Sequence, residues 1–241
     1  MLSRMSGAQL KTKIFADGAD IKGILELAAD SRIVGFTTNP TLMRQAGVVD
    51  YTEFAAELLL HVVDRPISFE VFADEPEEMR RQAKVISSWA ENVYVKIPVT
   101  TTRGESLIPL VRDLSLEGVK VNVTAVFTLE QVKAATNALR DGNSSYISIF
   151  AGRIADTGVD PLPVMSAALE IMKSSPRTEC IWASPREVLN LVQADSVGCH
   201  IITMTRDLLN KLDGIGKDLS QYSLETVQMF FRDATAAKYE L

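Results

Sequence analysis

Eight short apolar runs, each followed by an amphipathic stretch, recur along this chain, and no other feature limits its fold so severely. The runs cover 13–17, 33–38, 67–72, 93–98, 119–127, 146–150, 180–183 and 200–203 and are rich in β-branched and aromatic residues, as strands are. Between them, apolar residues repeat at helical spacing over 21–28, 52–63, 75–89, 105–116, 129–139, 163–172, 186–192 and 206–212. Asp20 is placed to cap the first of these helices. Glu75 and Pro76 open the third with acids in its first turn. Alternating units can also build a doubly wound open sheet, but eight of this regularity predict a closed (β/α)8 TIM barrel. A chain of 241 residues could hold one large domain or two small ones. The eight units consume nearly all of it, so one barrel is expected over 11–241, preceded by a flexible extension at 1–10. A further helix is expected over 219–241. Its apolar stripe of Leu224, Val227, Phe230 and Phe231 would pack on the barrel or on a neighbouring subunit.

Charge and cysteine usage narrow the function class. With 25 basic against 31 acidic residues the net charge is −6, which argues against a general binder of nucleic-acid backbone but not against a small anion held by local arginines. No apolar run approaches the roughly 20 residues of a membrane-spanning helix. Cys180 and Cys199 sit in apolar runs without metal-site or redox-pair spacing and are expected to be small buried fillers; His61 and His200 share no ligand spacing. The first residues, MLSRMSGAQL, lack the apolar segment of a signal peptide. Together these features suggest a reducing, cytoplasmic setting.

Polar residues interrupt the apolar runs where a barrel interior should be closed. Side chains alternate along a strand, and those facing inward near the C-terminal strand ends build the active site of such barrels. Asp17 ends the first strand, Asn39 closes the second, Glu70 interrupts the third and Lys96 the fourth. Asn122 and Thr124 share one parity on the fifth strand, and Ser148 lies on the sixth. A lysine enclosed by barrel walls is expected to lose proton affinity, and a neutral amine can form a Schiff base with a carbonyl. The competing explanations are a structural lysine paired with Asp17 or Glu70, or an outward-facing one whose head reaches water. Lys120 has the right parity but stands at the start of its strand, at the opposite face. Schiff-base chemistry also needs proton transfer, which Asp17 and Glu70 could supply. Ala151-Gly152-Arg153 after the sixth strand and Ser184-Pro185-Arg186 after the seventh, the latter expected at a helix start, suit a bound anion, although each arginine taken alone suits a solvated surface equally well.

Taken together, Phe15-Ala16-Asp17, Gly35-Phe36-Thr37-Thr38-Asn39-Pro40-Thr41-Leu42, Val95-Lys96-Ile97-Pro98, Asn122-Val123-Thr124 and Ser148-Ile149-Phe150-Ala151-Gly152-Arg153-Ile154 resemble the transaldolase family, in its short subfamily that also contains fructose-6-phosphate aldolases. The resemblance implies a metal-free, cofactor-free class I transfer of a dihydroxyacetone unit from a ketose, expected to be a sugar phosphate, to an aldose. It implies that Lys96 forms the Schiff base, that Asp17 is the general acid/base, and that Glu70 and Thr124 position the water relaying protons at the imine. Asn39 and Asn122 would bind the dihydroxyacetone hydroxyls, with Ser148 in the same pocket. Arg153, Ser184 and Arg186 would hold the distal phosphate of this sugar phosphate or similar anionic sugar. Glu70 and Phe150 resemble transaldolases, whereas the family's aldolases tend to have Gln and Tyr there. Gly18 stands where the family often has a hydroxyl residue, and the Trp182–Arg186 segment is compact for the family, which leaves room for another acceptor. Short members also often form homo-oligomers.

Overall fold

The computed structural model describes residues 10–239, so the expected extension at 1–10 lies almost wholly outside the described residues. The first half alternates β1 (Lys13–Asp17), α1 (Ile21–Ala28), β2 (Ile33–Thr37), α2 (Pro40–Gln45), α3 (Tyr51–His61), β3 (Ile67–Glu70), α4 (Pro76–Ser87) and β4 (Val93–Pro98). The second continues with α5 (Ile108–Leu116), β5 (Val121–Val126), α6 (Leu129–Leu139), β6 (Ser145–Ile149), α7 (Ala151–Asp156), α8 (Pro161–Met172), β7 (Thr178–Trp182), α9 (Leu189–Ser196), β8 (Ile201–Thr205) and α10 (Arg206–Leu209). The eight strands run parallel in sequence order and close, β1 pairing with both β2 and β8. This is the expected (β/α)8 barrel, contained within Leu10–Leu209.

Two features of the alternation were not expected. The connections after β2 and β6 each contain an additional short helix, α2 and α7. Six residues are too few to display a helical period. Local signals start α2: the Asn39 side chain accepts from the Leu42 N–H at 3.0 Å, with Pro40 in the first turn. The helix expected from Arg186 begins only at Leu189. Pro185 biases its predecessor away from helical geometry, and the Asn190 side chain takes the N–H groups of Arg186 and Glu187. Ser184-Pro185-Arg186 is therefore a loop and not a helix start.

The barrel interior is layered. Phe15, Tyr94, Tyr146, Ile181 and Ile201 fill it toward the N-terminal strand ends, Tyr94 and Tyr146 stacking at 4.1 Å between ring centroids. Gly35 admits the Phe15 ring, since a Cβ there would lie 2.4 Å from it. Lys120 belongs to this face as expected, donating to the Glu91 carbonyl at 2.6 Å. Above the aromatic layer the interior turns polar. Cys180 and Cys199 are buried, as expected. Among the described residues no helix is long and apolar enough to cross a membrane.

Residues from Asn210 onward form a separate compact unit. It holds a 3-10 turn at Leu212–Gly214 and the helix α11 (Leu219–Ala237). Asp218 caps that helix on the Gln221 N–H at 2.9 Å, and Lys238 closes it in the left-handed region at φ 54°. Leu224, Val227, Phe230 and Phe231 all lie on α11, and none is buried.

Candidate functional site

A cavity of about 510 Å³ opens at the C-terminal ends of the strands. It collects side chains from the strands and the loops that follow them all around the barrel, as expected of a barrel site. At its base lies Lys96, only 6% exposed. Its Nζ stands 3.0 Å from Glu70 Oε2 and donates to the Thr38 carbonyl at 2.8 Å. The β3–β4 register sets Glu70 directly opposite Lys96. A structural lysine would be paired in the same way. What distinguishes Lys96 is that it and Glu70 line an open cavity shared with Asp17, Thr124 and Ser148.

Asp17 accepts from Thr37 Oγ1 at 2.8 Å, and Thr37 Oγ1 lies 2.5 Å from Thr203 Oγ1. Burial pushes the Asp17 carboxyl above its ordinary value, a tendency opposed by the charge of Lys96 and by hydrogen bonding from Thr37, reinforced by the charge of Glu70, and opposed again by Asn39. A carboxyl held in this way is suited to carry a proton.

The fifth strand is distorted where it meets the cavity. Val123 pairs with Ile147 and Val126 with Ile149, so Thr124 and Ala125 together face Ser148 in a bulge. Ala125 adopts φ 57°, a left-handed conformation costly for a residue with a Cβ. Ser184 on the opposite rim has φ 57° as well. Thr124 Oγ1 is buried, lines the cavity, and has no hydrogen-bond partner among the described residues. Left-handed backbone is thus held at two rim positions, one of them next to the unpartnered Thr124 hydroxyl.

Asn122 sits differently from its neighbours. It is fully buried beneath the cavity, where its Nδ2 donates to Ser68 Oγ at 3.1 Å and its Oδ1 accepts from Ser148 Oγ at 2.7 Å. It holds Ser148, which does line the cavity. Asn39 lines it too, while its Oδ1 caps α2.

The outer cavity carries the arginines. Arg153 lies over the Phe150 ring, its guanidinium carbon 5.2 Å from the centroid, and both residues line the cavity. Arg186 forks the Asp156 carboxylate, with Nε 2.9 Å from Oδ1, so its charge is largely answered before any ligand arrives. Gly152 lets the loop holding Ser184 approach. Its N–H reaches the Ala183 carbonyl at 3.3 Å, and a Cβ there would lie 1.5 Å from the Ser184 carbonyl oxygen.

Ten of the expected site residues thus share one cavity, with Asn122 directly below it. Thr37, Thr203, Ser68 and Tyr51 were not singled out from sequence. The first three have inward parity on their strands, the signal that exposed Asn122 and Thr124. Tyr51, at the start of a helix, carries no comparable signal.

Comparison with known proteins follows the same lines. The family model described as Transaldolase/Fructose-6-phosphate aldolase matches residues 14–241. A probable transaldolase of Methanococcus maripaludis is 35% identical over 222 residues, covering 89% of this chain and 99% of the relative. A probable transaldolase 2 of Listeria monocytogenes is 34% identical over 201 residues, covering 83% and 88%. Among solved structures, a putative lyase/mutase from Burkholderia cenocepacia superimposes with a TM-score of 0.57 at 14% identity, covering 97% of this chain and 85% of that one. The KGPDC of Streptococcus mutans does so with a TM-score of 0.57 at 13% identity, covering 86% and 94%. At such identities the structural likeness speaks for the barrel alone.

Proposed function

The chain belongs to the transaldolase/fructose-6-phosphate aldolase family, and from that premise we propose that it is a class I transaldolase moving a dihydroxyacetone unit from a phosphorylated ketose to an aldose. The observation that carries the proposal is Lys96, paired with Glu70 at 3.0 Å at the base of a cavity that also holds Asp17 and the unpartnered Thr124 hydroxyl.

In this reading Lys96 Nζ, having passed a proton to Glu70, attacks the ketose carbonyl carbon. The carbinolamine oxygen leaves as water on protonation, giving the imine. Glu70 and Thr124 hold the water that carries these protons. Asp17, as carboxylate, takes the proton from the hydroxyl next to the bond that breaks. The bonding electrons pass into the imine as an enamine, and the aldose departs. The acceptor aldehyde enters, the enamine carbon attacks it, and Asp17 returns its proton to the new alkoxide. Hydrolysis of the imine frees the product and Lys96. Asn39 and Ser148 bind the three-carbon unit, with Asn122 acting by holding Ser148. Arg153 meets the distal phosphate, with Ser184 and Arg186 at the rim. No metal or organic cofactor takes part in these steps. The exposed apolar residues of α11 are read as the contact surface of a homo-oligomer.

Transfer is preferred to release of free dihydroxyacetone because Glu70 and Phe150 occupy the positions that resemble transaldolases. The test is to supply fructose 6-phosphate with and without an aldose phosphate acceptor. Transfer requires a new ketose phosphate only when acceptor is present. Free dihydroxyacetone appearing in step with ketose consumption, acceptor or not, would identify an aldolase instead.

A further inference from the structure

The strand ladder between β2 and β3 stops one rung short of the Lys96–Glu70 pair, and the reason lies in three residues. The Phe36 N–H donates to the Pro66 carbonyl and the Thr38 N–H to the Ser68 carbonyl. The same spacing would next bring the N–H of residue 40 to the Glu70 carbonyl, and the Thr38 carbonyl to the Glu70 N–H. Neither bond is made. Residue 40 is proline and has no N–H. The Thr38 carbonyl accepts from Lys96 Nζ at 2.8 Å. On its other side, β3 is already bound to β4, with the Val71 N–H on the Lys96 carbonyl at 3.1 Å.

Both backbone groups of Glu70 go instead to one side chain. Tyr51 Oη donates to the Glu70 carbonyl at 2.8 Å and accepts from the Glu70 N–H at 2.9 Å. A phenol can fill both roles at once, whereas a phenyl ring fills neither. The ring is fixed by edge-on contacts with Phe69, Phe72 and Trp89 at 5.6–6.2 Å between centroids. The start of its helix is held by Asp50, which accepts from the Thr52 and Glu53 N–H groups at 2.8 and 2.9 Å. Burial also raises the Tyr51 hydroxyl above its ordinary value, so it remains an O–H donor throughout the working pH range.

We propose that Tyr51 is a positioning residue for the reaction, its hydroxyl replacing the missing β2 rung and so fixing the Glu70 carboxylate against Lys96 while leaving the Thr38 carbonyl to the lysine. The proposal rests on the assignment of Lys96 and Glu70 as the reacting pair. Without the hydroxyl, the Glu70 N–H and carbonyl both lose their partner, the end of β3 is no longer held, and the pair loses its alignment.

Tyr51→Phe keeps the ring and removes both bonds. It is expected to lower kcat by about tenfold or more, in keeping with the cost of misplacing a catalytic group. KM for the ketose phosphate should stay within about twofold, because Tyr51 does not line the cavity that holds Lys96. Leu139→Ala empties a fully buried position on α6, outside the contacts of Tyr51; it should lower Tm while leaving kcat within about twofold. Asp50→Ala, which loosens the helix start, should lower kcat less, and Asp50→Asn should restore it; this pair carries the test should Tyr51→Phe not fold. A kcat unchanged in Tyr51→Phe, or lowered equally in Leu139→Ala, would overturn the proposal, as would full activity in Asp50→Ala where that variant stands in. Reductive trapping of the wild-type protein separates the two levels. An unlabelled Lys96 there refutes the assignment beneath the proposal, whereas a labelled Lys96 with unaffected variants refutes only the role of Tyr51.

Discussion

Replacing Gly152 with alanine pits a helix preference against a backbone contact, and the geometry decides the outcome. The added Cβ would lie 1.5 Å from the Ser184 carbonyl oxygen and 2.6 Å from its carbonyl carbon. Ordinary carbon–oxygen contacts begin near ~3.3 Å, so the Ser184 loop must retreat by roughly 2 Å. Because the obstructing atoms are backbone, no side-chain rotation relieves the contact. Overpacking of this kind costs about 1–3 kcal/mol, and loss of the Gly152 N–H bond to Ala183 adds about 1 kcal/mol. Alanine regains up to about 1 kcal/mol of helix propensity in α7. A net loss of about 1–3 kcal/mol lowers Tm by roughly 2–12 °C in a protein of this size. Thermal melts followed by circular dichroism measure it. Gly18→Ala is the control, since its Cβ would meet nothing closer than Ile24 at 4.0 Å; it should melt within about 2 °C of wild type. Kinetics should move with the loop, KM for phosphorylated ketose rising several-fold in Gly152→Ala. A Gly152→Ala protein melting within about 2 °C of the Gly18→Ala control would refute the reasoning.

Other expectations follow from the same geometry. Arg153→Ala should raise KM for a phosphorylated ketose by about tenfold or more, as loss of a charge-assisted contact does, and change that for an unphosphorylated one little. Arg186→Ala should have a smaller effect, because its guanidinium is already committed to Asp156; steady-state kinetics on the two substrates distinguishes them. Asp17→Asn tests the raised carboxyl. A group whose folded-state value lies above its unfolded one contributes stability below the unfolded value and loses it as pH rises through the folded one. The neutral variant should therefore melt above wild type at pH 8, with the gap shrinking as pH falls toward the ordinary carboxylate range near ~4; a gap that widens on acidification would contradict the assigned burial.

Parallel strands buried on both faces read as apolar runs, which is why all eight strands and their order are legible in the sequence itself. Because those runs are so uniformly apolar, Lys96, Glu70 and Asp17 stand out within them, and the fold brings all three to one cavity. Local interactions of short range are less legible. Nothing in PTLMRQ or AGRIAD repeats often enough to announce a helix, and the delay of α9 to Leu189 depends on the Asn190 side chain folding back onto Arg186 and Glu187. Thr37, Thr203 and Ser68 could have been found by parity, but threonine and serine in a strand raise no alarm unless a partner is known. Asn122 shows the converse: parity correctly puts it inside the barrel, while its depth below the cavity depends on register. The role of Tyr51 depends on a ladder ending at Pro40, which the sequence displays, and on the Thr38 carbonyl turning to Lys96, which it does not.

The central claim is that Lys96 is the nucleophile, and borohydride reduction in the presence of a ketose phosphate tests it directly. Peptide mass spectrometry of the reduced protein should locate a dihydroxyacetone-derived adduct on Lys96, absent without ketose and absent in Lys96→Ala, which should also be inactive. An adduct on Lys120 or another lysine, or a wild-type protein that turns over ketose with Lys96 unmodified after reduction, would contradict the account.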